Sequence, residues 1–137
     1  MKTETKTSNI LNIFLWIAQL LLAAGFIWAA FMKICQPAEK LAEMWPWTLE
    51  NPGLVKLTGI LDLLAGMGMV LPVLFRQPKL TVYAAYGTIL LMIAASTFHI
   101  ARGEAPLIGI NIFFAALAVF VAWGRRKLIR QADVEFK

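Results

Sequence analysis

The sequence is poor in charge, in cysteine and in histidine. Of its 137 residues only 15% are Asp, Glu, Lys or Arg, and it holds one cysteine and one histidine. Cys35 has no partner for an intramolecular disulfide, and neither a C-x-x-C dithiol nor a C-x-x-C-H haem motif is present. A lone His99 disfavours haem ligation by two histidines and a histidine-rich metal site. No Walker-type phosphate loop occurs. No metal and no intrinsic cofactor is therefore expected. Hydrophobic residues instead make up 60% of the chain, against about 45–50% in soluble domains, whose charged share is about 25%. A small soluble core cannot bury that excess, and a disordered chain has the opposite composition. The length allows one domain. What is left is a small polytopic membrane protein.

Four apolar blocks carry the excess: Ile10–Met32, Leu54–Phe75, Leu80–Ile100 and Pro106–Trp123. Each is close to the roughly 20 residues that cross the hydrocarbon as a helix. Helix is the state that satisfies a spanning backbone internally. The fold class is thus an all-α bundle of four transmembrane helices in a single domain. Lys2 and Lys6 before the first block resemble the n-region of a signal peptide. The block is longer than such peptides and runs into Phe31, Met32 and Lys33 without a cleavage site, so it reads as a retained helix.

The basic residues predict the topology. Nine of them fall on the side of the two tails: Lys2, Lys6, Arg76, Lys79, Arg125, Arg126, Lys127, Arg130 and Lys137. Four fall on the other: Lys33, Lys40, Lys56 and Arg102. The positive-inside rule then places both termini in the cytoplasm. Glu39, Glu43, Glu50 and Glu104 lie outside. The cluster from Arg125 to Arg130 is expected to meet anionic headgroups. No basic domain is left once the spans are removed, so no nucleic-acid partner is expected. The tails, 1–9 and 128–137, are short and polar and are expected to add little to the fold.

Two of the connections are tight. Arg76, Gln77 and Pro78 join the second and third blocks. Arg102 to Ala105 join the third and fourth, where Gly103 suits a helix C′ position and Pro106 the first turn of the next helix. Short links make antiparallel neighbours. The first connection, 33–53, is long. Pro37 opens a short helix with Ala38, Leu41, Ala42 and Trp45 on one face. With Trp45 and Trp47 at headgroup depth, this segment is expected to lie along the outer interface.

Polar residues inside the spans are the informative ones. Asp62 lies eight residues into the second block, roughly 12 Å deep. A charged Asp at the centre of a span costs about 2.5–3.5 kcal/mol on insertion scales, so it must face protein or water or take up a proton. Gly59, Asp62 and Gly66 share a helix face, which lets a neighbouring helix or a ligand come close. Gln19, Ala23, Phe26, Ala30 and Lys33 form a stripe on the first block, and the Lys33 stem can snorkel toward Asp62. Met92, Ala95, His99 and Arg102 share a face of the third block. Asn111 starts a face of the fourth that continues through Ala115, Ala118 and Ala122. All four blocks thus place a polar group in the outer half. The inner half has none comparable, Gln19 being the mildest exception. The candidate ligand-binding residues are Lys33, Asp62, His99, Arg102 and Asn111. Gly25, Gly59, Gly66 and Gly68 read as helix-packing positions.

A plainer account uses the same residues. Lys33 and Asp62 form an interhelical clamp, His99, Arg102 and Glu104 answer helix dipoles, and Asn111 donates an interhelical hydrogen bond.

Several segments resemble the DoxX-like group of small four-helix membrane proteins. They are Gly25-Phe-Ile-Trp-Ala-Ala-Phe-Met-Lys33, Gly59-Ile-Leu-Asp62-Leu-Leu-Ala-Gly66-Met-Gly68, Thr97-Phe-His99-Ile-Ala-Arg102-Gly103-Glu104, and Asn111. The resemblance covers about Asn9 to Trp123. Many relatives carry Glu where this chain has Asp62. The resemblance implies a four-helix bundle in the bacterial inner membrane. It does not imply one reaction: members are linked to quinone-coupled thiosulfate oxidation, to oxidative-stress complexes and, in animal relatives, to receptor assembly.

The functional expectation is an accessory membrane protein, not an enzyme on its own, with a polar outer-leaflet pocket for a quinone-like or lipid-like molecule. Two alternatives stand beside it. One is a membrane subunit of a quinone-linked oxidoreductase that needs a redox partner. The other is an assembly factor with a purely structural Lys33–Asp62 pair. The bilayer is the expected surrounding, with a membrane-protein partner or a second copy of the chain as further candidates.

Overall fold

A computed structural model describes residues 2–135, with side chains from Lys6 onward. Lys137, counted above with the basic residues of the tails, lies outside the described residues, as does the Lys2 side chain. The elements run α1 (Lys2–Cys35), α2 (Ala38–Met44), α3 (Trp47–Glu50), α4 (Pro52–Leu74), α5 (Pro78–Ala101), a 3-10 turn (Ala105–Ile108) and α6 (Gly109–Glu135). No strand occurs among the described residues. Helices α1, α4, α5 and the stretch ending in α6 are the four long and apolar enough to cross a membrane. The chain is a multi-pass all-α membrane protein.

The helices close a ring in which α1 packs on α4 and α6, and α5 packs on the same two. The core runs along the ring axis through Leu22, Phe26, Met69, Met92, Ala118 and Val121. The opposite faces carry exposed Ile13, Ile17, Leu64, Leu90 and Val119. In water such a surface would aggregate; in lipid it is the solvent-facing side. With an even number of spans both termini share one end, where Ser8 Oγ donates to Gln131 Oε1 at 3.0 Å. This is called the termini end below, and the opposite one the far end.

Small residues let the backbones approach. A Cβ on Gly66 would sit 2.8 Å from Ile27 Cγ1, and one on Gly59 would sit 3.1 Å from the Lys33 Cβ. Gly25 makes room for the Phe114 ring and Gly68 for the Ala84 methyl. Gly124, which lies beyond the apolar block, is an additional packing position beneath the Leu15 side chain.

The helices outrun the apolar blocks, most of all at the tails. α1 starts at Lys2 rather than Ile10, and α6 continues to Glu135 rather than stopping at Trp123. Hydropathy marks only the stretch inside lipid. A helix continues into water as long as its residues allow, and Arg125–Ala132 contains no Gly or Pro. The tails therefore contribute to the bundle, contrary to expectation.

Both tight links end their helices alike. Arg76 at φ +60° and Gly103 at φ +77° occupy left-handed C′ positions. The following residue returns to the helix in each case, Gln77 N–H to Pro72 O and Glu104 N–H to His99 O at 2.8 Å. This is the Schellman arrangement. Gly103 fits as expected, whereas Arg76 takes the position without a glycine's freedom.

At the far end, α2 and α3 form a plug. Leu41, Trp47 and Val55 are buried together against Met32, Trp45, Leu54 and Phe98. Leu41 points inward as its spacing predicts, but Ala38 on the same expected face is exposed. Trp47, expected at the headgroup interface, is only 7% exposed. Its ring stands edge-on to Phe98, with centroids 5.5 Å apart. The Phe98 ring and the closed cluster with Leu41 and Val55 hold this indole inside the plug.

Candidate functional site

The far-end centre is built from the α1–α4 seam. Lys33 lies in the last turn of α1. Asp62 is the eleventh residue of α4, about 15 Å along its axis at roughly 1.5 Å per residue. The missing side chain at Gly59 lets the Lys33 stem run down against α4. Lys33 Nζ then reaches Asp62 Oδ2 at 2.7 Å. Their side chains are 13% and 5% exposed. The ammonium also lies 5.7 Å from the Trp45 ring centroid and 5.8 Å from that of Trp47. One cation thus holds a carboxylate and faces two indoles. A buried pair of this kind tolerates its desolvation only with close geometry and further partners, and the indole faces supply them.

His99 and Arg102 form a second, neighbouring cluster. The Schellman turn folds Glu104 back over the end of α5. Its carboxylate meets His99 Nδ1 at 2.7 Å and Arg102 Nε at 3.0 Å. Arg102 also donates from Nη1 to Glu50 Oε2 at 2.9 Å, which ties α5 to α3. The hydrogen bond from His99, then that from Arg102, hold the Glu104 carboxyl below its ordinary range. Hydrogen bonds to Glu50 and Glu104 raise the Arg102 guanidinium further.

The five predicted residues are thus divided between two bonded groups, with Asn111 in neither. Lys33 pairs with Asp62, and His99 and Arg102 share Glu104. No hydrogen bond or ion pair joins these two clusters among the described residues. They meet through the edge-on rings of Trp47 and Phe98, with Lys33 over the first and Arg102 over the second. Asn111 makes neither contact, and its buried Nδ2 has no hydrogen-bond partner among the described residues. Sequence spacing did not reveal Glu50 or the inward turn of Trp45 and Trp47. Nothing in a loop's spacing says which residues fold back over a span.

A third polar centre sits near the termini end. Gln19 is fully buried and Arg125 is 5% exposed. Arg125 donates from Nε to Gln19 Oε1 at 2.6 Å and from Nη1 to Asn12 Oδ1 at 2.8 Å. Gln19 in turn donates through Nε2 to the Met69 carbonyl. The guanidinium lies over the Trp16 ring at 5.5 Å, and its Nη2 has no partner among the described residues. This corrects two expectations. Arg125 does not meet headgroups with its neighbours, and the inner half does hold a strong polar group. Arg125 lies just past an apolar block, so hydropathy assigned it to water. Its register with Ala118, Val121 and Ala122, all buried, was the available signal.

A bundle of four spanning helices with charges buried at the helix seams defines a small integral membrane protein. Among the described residues no three His, Cys, Asp or Glu side chains gather as a metal site would require. The chain belongs to the DoxX-like family, whose sequence model matches residues 17–121. That span takes in Lys33, Asp62, His99, Arg102 and Asn111 and stops short of Arg125. No curated protein and no solved structure matches the chain.

Proposed function

We propose that this DoxX-like protein is an accessory membrane protein, not an enzyme by itself, whose Lys33–Asp62 centre receives the polar head of a quinone-like or lipid-like molecule. The observation that carries the reading is an ammonium–carboxylate pair, 2.7 Å apart and set deep in the α1–α4 seam, roofed by two indoles. Polar groups at such depth are costly and mark binding sites more often than surface charges do. Lys33 would donate to a carbonyl or phosphate oxygen, and Asp62 would accept a proton from a hydroxyl. The Trp45 and Trp47 faces suit a flat ring, and Asn111 keeps a free amide donor. Entry requires the α2–α3 plug to lift, with Arg102 and Glu50 as the latch at its edge. DoxX-like membership supports a bacterial inner-membrane setting, and the charge distribution supports both termini in the cytoplasm.

Intrinsic tryptophan fluorescence tests this directly, in a variant with Trp16, Trp28 and Trp123 changed to Phe. Titration with a short-chain quinone, and separately with a lysophospholipid, should change the remaining signal saturably with at least one of them. The change should vanish in Asp62→Asn. A response that is linear with both, or identical in Asp62→Asn, rules the reading out.

A second reading has its own observation. The pair is already closed and flanked by rings, as a purely structural clamp in an assembly factor would be. There a Lys33→Asp/Asp62→Lys swap retains function in cells, while replacement of residues 38–50 abolishes it. Under the ligand reading the swap abolishes function.

A further inference from the structure

At the termini end, the first three turns of α5 and the last turns of α6 border a groove of about 360 Å³. That is within the roughly 300–1,000 Å³ of small-molecule sites. α5 contributes Lys79, Tyr83 and Tyr86, which share a face, and α6 contributes Arg126, Ile129 and Arg130, which share another. Arg126 Nη1 donates to the Tyr86 hydroxyl at 3.0 Å, which bridges the two walls. No carboxylate among the described residues lines the groove, so three cations face one space without a balancing charge from them. Lys79 and Arg130 form no ion pair among the described residues. Of their basic neighbours, Arg125 is turned into the bundle and Lys127 lies over Trp123 at 5.3 Å. The charge of this tail is thereby sorted, and only part of it is offered outward.

The groove lies at headgroup depth. Lys79 is in the first turn after Pro78 opens α5, and Arg126 and Arg130 follow the apolar stretch of α6. Tyrosine rings with an apolar body and a wet hydroxyl belong at that level. Val82 and Ile129 give the groove an apolar floor, along which an acyl chain can pass toward the lipid-facing side of α5. We infer that the groove is a binding site for one anionic phospholipid, its phosphate held by Arg126, Arg130 and Lys79 with the Tyr86 hydroxyl as a further donor. Basic pockets between spanning helices recognise acidic headgroups by this means. An arginine pair supplies the forked donors that phosphate oxygens accept. A free phosphate has the same headgroup chemistry but would gain nothing from the apolar floor.

Native mass spectrometry of the detergent-extracted protein provides the test. It is supplied with dioleoylphosphatidylglycerol or with dioleoylphosphatidylcholine, which share their chains. Wild type should retain one phosphatidylglycerol with at least fivefold preference. Each cation near an anionic lipid contributes roughly fivefold, so Arg126→Gln/Arg130→Gln should weaken retention about twenty-fivefold. Lys40→Gln/Lys56→Gln removes the same charge from the far end and should change it less than twofold. Equal retention of both lipids, or equal loss in the two double variants, overturns the site in favour of diffuse attraction. Displacement of phosphatidylglycerol by millimolar inorganic phosphate assigns the groove to free phosphate instead. Size-exclusion profiles establish that the variants fold. If the groove double variant does not, Tyr86→Phe decides: a severalfold loss supports the site and no change overturns it.

Discussion

Lys33 and Asp62 each depend on the other for a place inside the bundle. Removing one partner leaves a buried charge without compensation, which costs roughly 3–5 kcal/mol. Asp62→Ala and Lys33→Met should each lower the unfolding free energy measured in detergent by that margin. The double change to Lys33→Met/Asp62→Leu should recover most of it, because two apolar groups need no partner. A double variant as unstable as the singles would show that the pair does more than satisfy itself. Arg125 differs, since its hydrogen bonds run to the neutral Gln19 and Asn12. Glu104 governs the neighbouring cluster and responds to acid. Its folded carboxyl is held below the ordinary 4.5 by His99 and Arg102. A carboxyl depressed on folding stabilises fully above its unfolded value and loses that contribution as pH falls through the folded one. The stability that the Glu104 carboxylate gives wild type over Glu104→Gln should therefore be in place above the unfolded carboxyl range. It should shrink as pH falls below about 4.5, as thermal unfolding at successive pH values would record. A difference independent of pH would detach Glu104 from the ion pairs.

The elements show how much depends on a few backbone positions. Gly103 takes a left-handed conformation that places Glu104 over His99. Gly103→Ala should cost about 1–2 kcal/mol and loosen the Arg102–Glu50 tie between α5 and α3. Faster hydrogen exchange in residues 47–50 would report it, and unchanged exchange would mean that the tie is not anchored there. Gly66→Val should separate α1 from α4, since even a Cβ there meets Ile27. Much of this level was legible in the sequence. Gly59, Asp62 and Gly66 on one face, the Gln19–Lys33 stripe and Gly103 at a C′ position all follow from helical spacing. The α2–α3 plug did not, because Trp45 and Trp47 fit either a headgroup interface or a closed core by composition alone. Contact with Lys33 and Phe98 decided between the two. Arg76 in a left-handed turn was equally hidden, since nothing in an arginine signals that conformation.

For the whole molecule, composition selected lipid as the solvent, and the ring of four helices follows from that together with the short links. The helix ends did not follow, because hydropathy stops at the edge of the hydrocarbon while α1 and α6 run on. The molecule consequently has four polar places rather than one outer cluster: the roofed Lys33–Asp62 seam, the His99–Arg102–Glu104 cluster next to it, the Arg125 centre and the basic groove beside it. Family membership accounts for the fold and leaves the ligand open. The central claim is that the roofed seam holds a small molecule. Native mass spectrometry of the protein extracted with its own lipids tests it most directly. Wild type should carry a retained small molecule that Asp62→Asn lacks and Arg126→Gln/Arg130→Gln keeps. Identical spectra for wild type and a folded Asp62→Asn would contradict the account.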